Sequence, residues 1–200
     1  MVRIKEGEKV VVCVCGMAGC GKSTLAKRLA KKYRLKYLSG GNALKALALE
    51  LGYKPGGRDW WETEEGRRFL QQRMGNPDFD KRVDEKLIEW AEQGNVVFDS
   101  WTMPWLLKDG FKIWLEASPK VRVKRIAKRD GISPEKAMEA LREKDKKTQV
   151  IYKNLYGFDL GEDFSPFHLI LDVNELNAEE VFRVISMTLE CLYIKRKHEP

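Results

Sequence analysis

The stretch Lys9–Ser23, which reads KVVVCVC and then GMAGCGKS, decides the fold of this chain. Its first half is a continuous apolar run rich in valine, which is typical of a strand buried on both faces. Gly16, Gly19 and Gly21 then allow the backbone to curl with its N–H groups pointing inward. A helical pattern begins at Lys22. The stretch therefore predicts a buried strand, a glycine-rich turn and a helix in direct succession.

Residues 16–23 match the pattern GxxxxGK[ST], the Walker A motif of phosphate-binding loops. The match is informative because a buried strand precedes it and a helix follows it. In that setting the loop N–H groups and the helix N-terminus both present positive charge to phosphate. Lys22 is then expected to reach β- and γ-phosphates, and the Ser23 hydroxyl to ligate Mg²⁺. The motif thus predicts a site for a nucleoside triphosphate and its magnesium ion.

Strand and helix patterns alternate along the rest of the chain. Further strands are predicted at 36–39, 95–99, 111–117 and 167–173, the last of them as a buried strand. Helices are predicted at 22–33, 42–51, 60–74, 78–93, 119–130, 133–157 and 178–195. This alternation predicts an α/β fold with a parallel sheet and helices on both faces. Ligands of such sheets bind beyond the carboxyl ends of the strands, so the chemistry is expected there.

The composition is that of a globular chain with one core. Of its 200 residues 43% are hydrophobic and 34% charged, which excludes a wholly disordered chain. No apolar run approaches the roughly 18–20 residues of a membrane span, and the N-terminus is a poor signal peptide. Four cysteines without a CxxC pair predict reduced thiols, a cytoplasmic location and no membrane association. Two histidines argue against a histidine-based metal site.

Cysteines and tryptophans are interpreted mainly as packing residues. The thiol of Cys20 stands at a helix N-terminus, a setting that can lower a thiol pKa, but a small tolerated side chain is the simpler interpretation. The side chains expected in the core are Cys13, Cys15, Cys191, Trp90 and Trp114.

Positive charge is concentrated in one segment. The net charge of the whole chain is +7. Between Pro119 and Lys153 there are twelve Lys or Arg and five Asp or Glu, so 12 − 5 = +7 resides there. Such a surface favours a phosphate-bearing partner, although a solvated helical face is the commoner explanation of a charge run. Arg125 and Arg129 are spaced i, i+4 and therefore share a helix face.

Several further stretches resemble the nucleoside-monophosphate kinase group of P-loop kinases, most specifically the archaeal cytidylate kinase-like proteins. They are LSGGNALK at 38–45, NPDFDKRVDEKL at 76–87, the KIWLEAS…RIAKR run at 112–129 and LYGFDL at 155–160. The resemblance covers nearly the whole length. It implies a single P-loop kinase domain over 1–200, with a five-stranded parallel sheet, a helical acceptor-binding insert at 40–93 and a basic helical lid at 119–157. It also implies phosphoryl transfer from ATP, with Mg²⁺, to a nucleoside monophosphate, CMP or dCMP first.

The resemblance also implies roles on the donor side. Arg125 would lie against the adenine or the phosphates, Arg129 would steady the transferring phosphoryl group, and Arg142 would join them from the lid. Asp99, at the end of a strand beside the loop, would bind Mg²⁺ or its water shell. The residues that would hold the ATP phosphates are Gly16, Met17, Ala18, Gly19, Cys20, Gly21, Lys22, Ser23 and Thr24.

On the acceptor side the chain departs from the pattern that it resembles. Asn42, Lys45, Asp80 and Asp84 occupy acceptor positions, but Lys45 replaces the usual arginine. Asp99-Ser100-Trp101 stands where an acidic residue, glycine and arginine are common, and Ile151 occupies a lid position that is often arginine. Lysine supplies a charge without a bidentate fork, and tryptophan and isoleucine supply neither. Replacement cations could come from the insert, at Arg58, Arg67 or Arg68.

These departures leave three functions open: a kinase for a nucleoside monophosphate, a kinase for a hydroxyl acceptor, and a regulator without phosphoryl transfer. A nucleoside monophosphate is favoured, and its own phosphate is a largely ionised nucleophile near pH 7 because its second pKa is about 6. A hydroxyl acceptor on a nucleoside, a small metabolite or RNA would instead need a base, for which Asp99 is the candidate. An ATP-dependent RNA-binding regulator would use the basic lid and the rings of Trp60, Trp61 and Trp101. Whether the chain is a monomer or a dimer is also left open.

Overall fold

The computed structural model describes residues 9–56, 64–66, 68–69 and 78–193. Its centre is a five-stranded sheet in the order β2-β3-β1-β4-β5, with every neighbouring pair parallel. The strands are β1 Val11–Cys15, β2 Lys36–Ser39, β3 Val96–Asp99, β4 Phe111–Glu116 and β5 Leu169–Asp172. The predicted α/β fold with a five-stranded parallel sheet is confirmed.

Helices connect the strands, and their limits follow local sequence signals. Both helices of the basic segment begin at a serine N-cap followed by proline and end at a glycine in the left-handed conformation, Gly131 and Gly157. The helices are α1 Lys22–Tyr33, α2 Gly40–Glu50, α3 Asp78–Glu92, α4 Met103–Leu106, α5 Pro119–Asp130, α6 Pro134–Tyr156 and α7 Ala178–Tyr193. Residues 64–66 and 68–69 are also helical. The short helix α4 was not among the predicted elements.

The two faces of the sheet form two separate layers of the core. Val12 and Val14 face α1 and α7, whereas Val11 and Cys13 face α2 and α3. This alternation follows from the period of two in a strand, and it explains why β1 is apolar at every position. Burial on both faces fixes β1 at the centre of the sheet, with its carboxyl end opening toward the glycine-rich loop.

The last strand and one cysteine differ from the sequence-based expectation. The strand β5 is not buried: its exposure alternates, and Ile170 is 51% exposed. As an edge strand it pairs only with β4, and only one of its faces packs on the core. Cys191 is exposed on α7 rather than part of the core. Trp114 and Cys13 are fully buried as expected, while Trp90 is only partly buried beneath the Lys36 ammonium.

An aromatic cluster anchors the C-terminal end of α6. Phe158 and Leu160, which follow that helix, are buried together with Trp114. The ring of Trp105 stacks on Phe158 with centroids 4.0 Å apart, and its N–H donates to Asp163. The LYGFDL stretch therefore ties the end of the basic helix to the sheet.

The described part of the chain contains no helix with the length and apolar character of a membrane span.

Replacing Gly16 by alanine should destabilise the fold. Gly16 has φ +143°, and a Cβ there would lie 2.6 Å from both the Leu115 carbonyl oxygen and the Cys20 sulfur. Backbone strain alone costs roughly 1–3 kcal/mol at such a position. We expect urea unfolding to show at least that loss for Gly16→Ala. Gly40→Ala is the matched control, since nothing lies within 4 Å of its Cβ position, and it should be neutral or slightly stabilising. Equal stability of both variants would contradict the close packing of the loop.

Candidate active site

Two cavities meet at the carboxyl ends of β1 and β3. The larger, about 640 Å³, lies between the loop, α2, α3 and α6, and Asp80, Asp84 and Asp99 line it. The smaller, about 580 Å³, lies between the loop, α5 and the start of α7. Residues that line both cavities are Gly19, Lys22, Ser23, Ile126 and Arg129. A ligand in one cavity would thus meet a ligand in the other at the loop lysine.

The loop has the form of a phosphate cradle. Gly16, Gly19 and Gly21 all have positive φ, so the chain curls before α1 begins at Lys22. The N-cap residue is Gly21, whose lack of a side chain leaves the first N–H groups of α1 without a capping oxygen. Such N–H groups and the helix dipole attract phosphate. The residues of the loop therefore fit a bound polyphosphate.

Trp101 holds the loop from the side. Its indole N–H donates to the Gly16 carbonyl oxygen at 2.9 Å, and its ring centroid lies 4.8 Å from the Lys22 ammonium nitrogen. The ring also lines the larger cavity and lies 6.2 Å from the Tyr152 ring. The sequence predicts a base-stacking role for Trp101 but not this contact with the loop. Its position immediately after β3 was the available signal for a contact with the loop, because parallel strands end at the same edge.

Asp99 lies at the end of β3, opposite Val14 of β1. The Tyr37 hydroxyl donates to this carboxylate at 2.9 Å. Burial and the charge of Asp99 raise the pKa of Tyr37, so the phenol stays a proton donor. Ser23 and Asp99 line the same cavity, and their hydroxyl and carboxylate oxygens are ligands that Mg²⁺ prefers. These side chains fit the predicted magnesium site.

Asp84 is the centre of a buried hydrogen-bond network. It is 6% exposed, and it accepts hydrogen bonds from the Thr102 hydroxyl at 2.6 Å and the Tyr156 hydroxyl at 2.5 Å. Burial and the Asp84 carboxylate raise the pKa of Tyr156, which keeps this phenol protonated. The network joins α3 to the last turn of α6. Asp80 and Asp84 therefore do lie on one wall of the larger cavity, as their i, i+4 spacing predicts.

The arginines of the basic segment divide between structural contacts and the cavities. The Arg125 guanidinium donates to the carbonyl oxygens of Cys20, at 3.0 Å, and Val173, at 2.7 Å, and it lines the smaller cavity. Sequence reasoning missed Arg122, which is buried and donates to the Ala18 carbonyl oxygen and to Asp145. Both arginines brace the loop, and only burial in the fold distinguishes them from their exposed neighbours.

Arg129 and Arg142 lie in different surroundings. Arg129 lines both cavities, and its guanidinium is paired with the adjacent Asp130 in an exposed ion pair. Arg142 is exposed on α6 and is not among the residues that line either cavity. Lys144, two residues further on, does line the larger cavity, and we had not predicted it.

The remaining acceptor candidates are not gathered at the cavities. Asn42 completes a capping box with Ser39, the N-cap of α2: its side-chain oxygen accepts from the Ser39 backbone N–H and hydroxyl, and the Asn42 N–H donates to the Ser39 hydroxyl. Lys45 lies on the same helix and is not among the lining residues. Arg68 is exposed and paired with Glu64. The predictions that fall outside the described residues are Arg58, Trp60, Trp61 and Arg67.

Cys20 is a packing residue. It is 3% exposed, and burial raises the pKa of its thiol against the opposing effect of the Lys22 charge. The lowered thiol pKa that a helix N-terminus can produce is therefore absent at Cys20, and the simpler interpretation is confirmed.

Comparison with known proteins agrees with this geometry. The sequence model of the cytidylate kinase-like family matches residues 11–175, which include the loop, every lining residue of the larger cavity and the basic helices. The chain belongs to the cytidylate kinase-like family. Cytidylate kinase of Pyrococcus horikoshii is 34% identical over 186 residues, covering 92% of this chain and 91% of that protein. Cytidylate kinase of Methanocaldococcus jannaschii is 30% identical over 188 residues, covering 92% and 99%.

A solved structure supports the fold of this kinase independently. Shikimate kinase from Bacteroides thetaiotaomicron superposes with a TM-score of 0.51, covering 92% of this chain and 99% of that one, at 18% identity. At that identity the likeness shows the fold alone. The family membership makes the chain a kinase, and the resemblance stated from the sequence is confirmed.

Removing the hydroxyl of Thr102 should destabilise this kinase, because the Asp84 carboxylate would lose one of its hydrogen-bond donors. Thr102 is 3% exposed, so water cannot readily replace the lost hydrogen bond. We expect Thr102→Val to lose about 1–3 kcal/mol in urea unfolding. Thr102→Ser keeps the hydroxyl and should lose less. If Thr102 acted mainly through its methyl group, which valine keeps and serine lacks, Thr102→Ser would instead lose more stability than Thr102→Val.

Proposed function

We propose that this kinase transfers the γ-phosphoryl group of ATP, with Mg²⁺, to a nucleoside monophosphate, and that CMP or dCMP is the preferred acceptor. The observation that carries the proposal is the meeting of two cavities at Lys22, Ser23 and Arg129. One cavity suits a donor nucleotide and the other an acceptor. The relatives named cytidylate kinase support cytidine as the acceptor nucleoside.

The smaller cavity is the proposed donor site. It is lined by the N-terminal turn of α1 and by Arg125, Leu176 and Asn177, so the nucleoside of ATP would lie there with its phosphates directed into the loop. Ser23 and Asp99 would hold the magnesium ion, which neutralises phosphate charge when it is bound. Lys22 would bind the β- and γ-phosphates.

The larger cavity is the proposed acceptor site. The phosphate of an acceptor has a second pKa of about 6, so near pH 7 it is largely ionised and needs no base. The catalytic requirement is then to bring two anions together, and the positive charges of Lys22 and Arg129 lie at the junction where that must happen. Asp80 and Asp84 also line this cavity, and carboxylate oxygens accept hydrogen bonds from hydroxyl and amino groups such as those of a nucleoside.

A hydroxyl acceptor is the second candidate, and one observation favours it. Trp101 occupies the position where the resemblance leads us to expect an arginine, and its N–H is directed to the loop. A hydroxyl acceptor would need fewer cations and would use Asp99, whose carboxylate already accepts from Tyr37, as a base.

An acceptor panel tests the proposal. Purified protein is incubated with γ-labelled ATP and, separately, with nucleoside monophosphates, nucleosides and RNA. We expect label on CMP or dCMP above all others. Label only on a nucleoside or RNA would replace the main proposal by the second, and retention of RNA without any transfer would favour an RNA-binding regulator.

Lys22→Ala should abolish this transfer while leaving the fold intact. The ammonium group lies over the Trp101 ring in the cavity and makes no buried ion pair in the described structure, so its removal should change the melting temperature little. Phosphoryl transfer should fall by several orders of magnitude because the γ-phosphate loses its principal cation. Appreciable turnover by the folded variant, with any acceptor, would contradict the kinase mechanism.

Asp99→Asn separates the two acceptor classes. If Asp99 serves the magnesium ion, the variant should need more Mg²⁺ and recover part of its rate when Mg²⁺ is raised. If Asp99 is a base, the rate should fall about 10²–10⁴-fold and extra Mg²⁺ should not restore it. We expect recovery, together with an acceptor ionisation near pH 6 in the wild-type rate profile.

A further inference from the structure

Some residues line both cavities and others line only one. This difference distinguishes contacts to the ATP from contacts to the phosphoryl acceptor. Lys22, Ser23 and Arg129 line both cavities and therefore lie where the transferred group must pass. Lys144 lines only the larger cavity. A cation in that position faces the acceptor and is not shared with the donor nucleoside.

Lys144 comes to the cavity from α6 and lies beside the loop lysine. Its ammonium nitrogen is 5.8 Å from the centroid of the Trp101 ring, and the Lys22 nitrogen is 4.8 Å from the same centroid. Two ammonium groups from different elements thus share one neutral ring, whose N–H is held by the Gly16 carbonyl oxygen. An aromatic ring attracts cations through its quadrupole but neutralises neither of them.

The charges around Lys144 leave this corner of the cavity positive. Lys144 is exposed overall, but partial desolvation of its amine, followed by the positive charges of Lys22 and Arg129, lowers the pKa of Lys144 against the opposing effects of Asp145 and Asp130. Both of those carboxylates already have closer partners, since Asp145 accepts from Arg122 and Asp130 from Arg129. Within the described ranges, Lys144 forms no ion pair with a carboxylate. A dianionic phosphate would relieve the repulsion among these cations.

We propose that Lys144 binds the phosphate group of the acceptor. It would thereby supply from α6 the positive charge that residue 101 does not carry, with the Trp101 ring positioning its ammonium group for the acceptor. The inference rests on the proposed function, because it assigns a contact within the proposed acceptor site. It makes Lys144 a determinant of acceptor class, favouring a nucleoside monophosphate over the corresponding nucleoside.

The test compares the binding of CMP and of cytidine by calorimetry. Lys144→Met removes the charge and keeps the length of the side chain, and Lys144→Arg keeps the charge. Lys147→Met is the matched control, because Lys147 lies on the same helix, is 71% exposed and pairs with Glu143 outside both cavities. The wild-type protein should bind CMP more tightly than cytidine. Lys144→Met should weaken CMP binding about 10- to 100-fold, the usual value of a charged hydrogen bond, and leave cytidine binding unchanged.

Kinetics supply a second readout that a merely structural role would not move. In Lys144→Met the KM for CMP should rise by a similar factor and the KM for ATP should stay within about twofold, whereas Lys144→Arg should retain most of the CMP affinity. A rise in the KM for ATP instead would overturn the proposal and place Lys144 on the donor side. Unchanged CMP binding in Lys144→Met would also overturn the proposal. So would a Lys147→Met variant whose CMP affinity falls as much as that of Lys144→Met.

The binding experiment also separates this inference from the proposed function. If the wild-type protein phosphorylates CMP and Lys144→Met binds it normally, the function stands and the role of Lys144 is wrong. If no monophosphate is phosphorylated but CMP binds in a manner that depends on Lys144, the proposed reaction is wrong and the phosphate contact stands. If the wild-type protein does not distinguish CMP from cytidine, the proposal for Lys144 is overturned.

Discussion

The crowding around Gly16 is the constraint on which the arrangement of this kinase depends. A side chain at this position would meet the backbone carbonyl of Leu115 on the neighbouring strand β4 and the sulfur of Cys20 across the loop. The chain can leave the sheet only in the direction that φ +143° allows, and that direction sets where α1 begins. The Gly16 carbonyl oxygen is then turned toward Trp101, whose N–H it accepts. The glycine-rich loop, the position of Lys22 and one wall of the larger cavity all follow from this turn.

Around the loop, the positively charged side chains differ in the hydrogen bonds that they make. The guanidinium groups of Arg122 and Arg125 donate to backbone carbonyls at Ala18 and Cys20, where their several directed N–H groups suit fixed oxygens. The single ammonium groups of Lys22 and Lys144 instead lie over the Trp101 ring, and among the described residues they make no comparable hydrogen bonds. Arg122 and Arg125 therefore brace the loop, whereas Lys22 and Lys144 direct their charge into the larger cavity. A count of positive charges along the basic segment could not have separated these two uses.

The network at Asp84 links the elements on two sides of the larger cavity. Thr102 follows β3, Tyr156 ends α6, and both donate to one buried carboxylate on α3. The aromatic cluster that includes Trp105 and Phe158 holds the same end of α6 against the sheet. Because one end of α6 is fixed in this way, Lys144 in its middle is presented to the cavity at a defined place.

The sequence alone determined the elements whose signals are local. The valine-rich strand, the glycines of the loop and the approximate ranges of α5 and α6 were predicted from the sequence, because each depends on the conformational preferences of a few neighbouring residues. The loop residues were found by their pattern, whereas Asp80, Asp84 and Asp99 were assigned through the family resemblance. The structure places all three aspartates at one cavity.

Tertiary structure alone decided which of many similar side chains reach that cavity. Arg142 and Lys144 are both cations on one helix, but they differ by two positions, about 200° around the helix axis, so only Lys144 faces the site. Trp101 contacts the loop at Gly16, which lies 85 positions away in the chain. The exposure of β5 likewise follows from its place at the edge of the sheet, which its apolar sequence does not reveal. Such contacts join residues distant in the chain, and only the packed sheet brings them together.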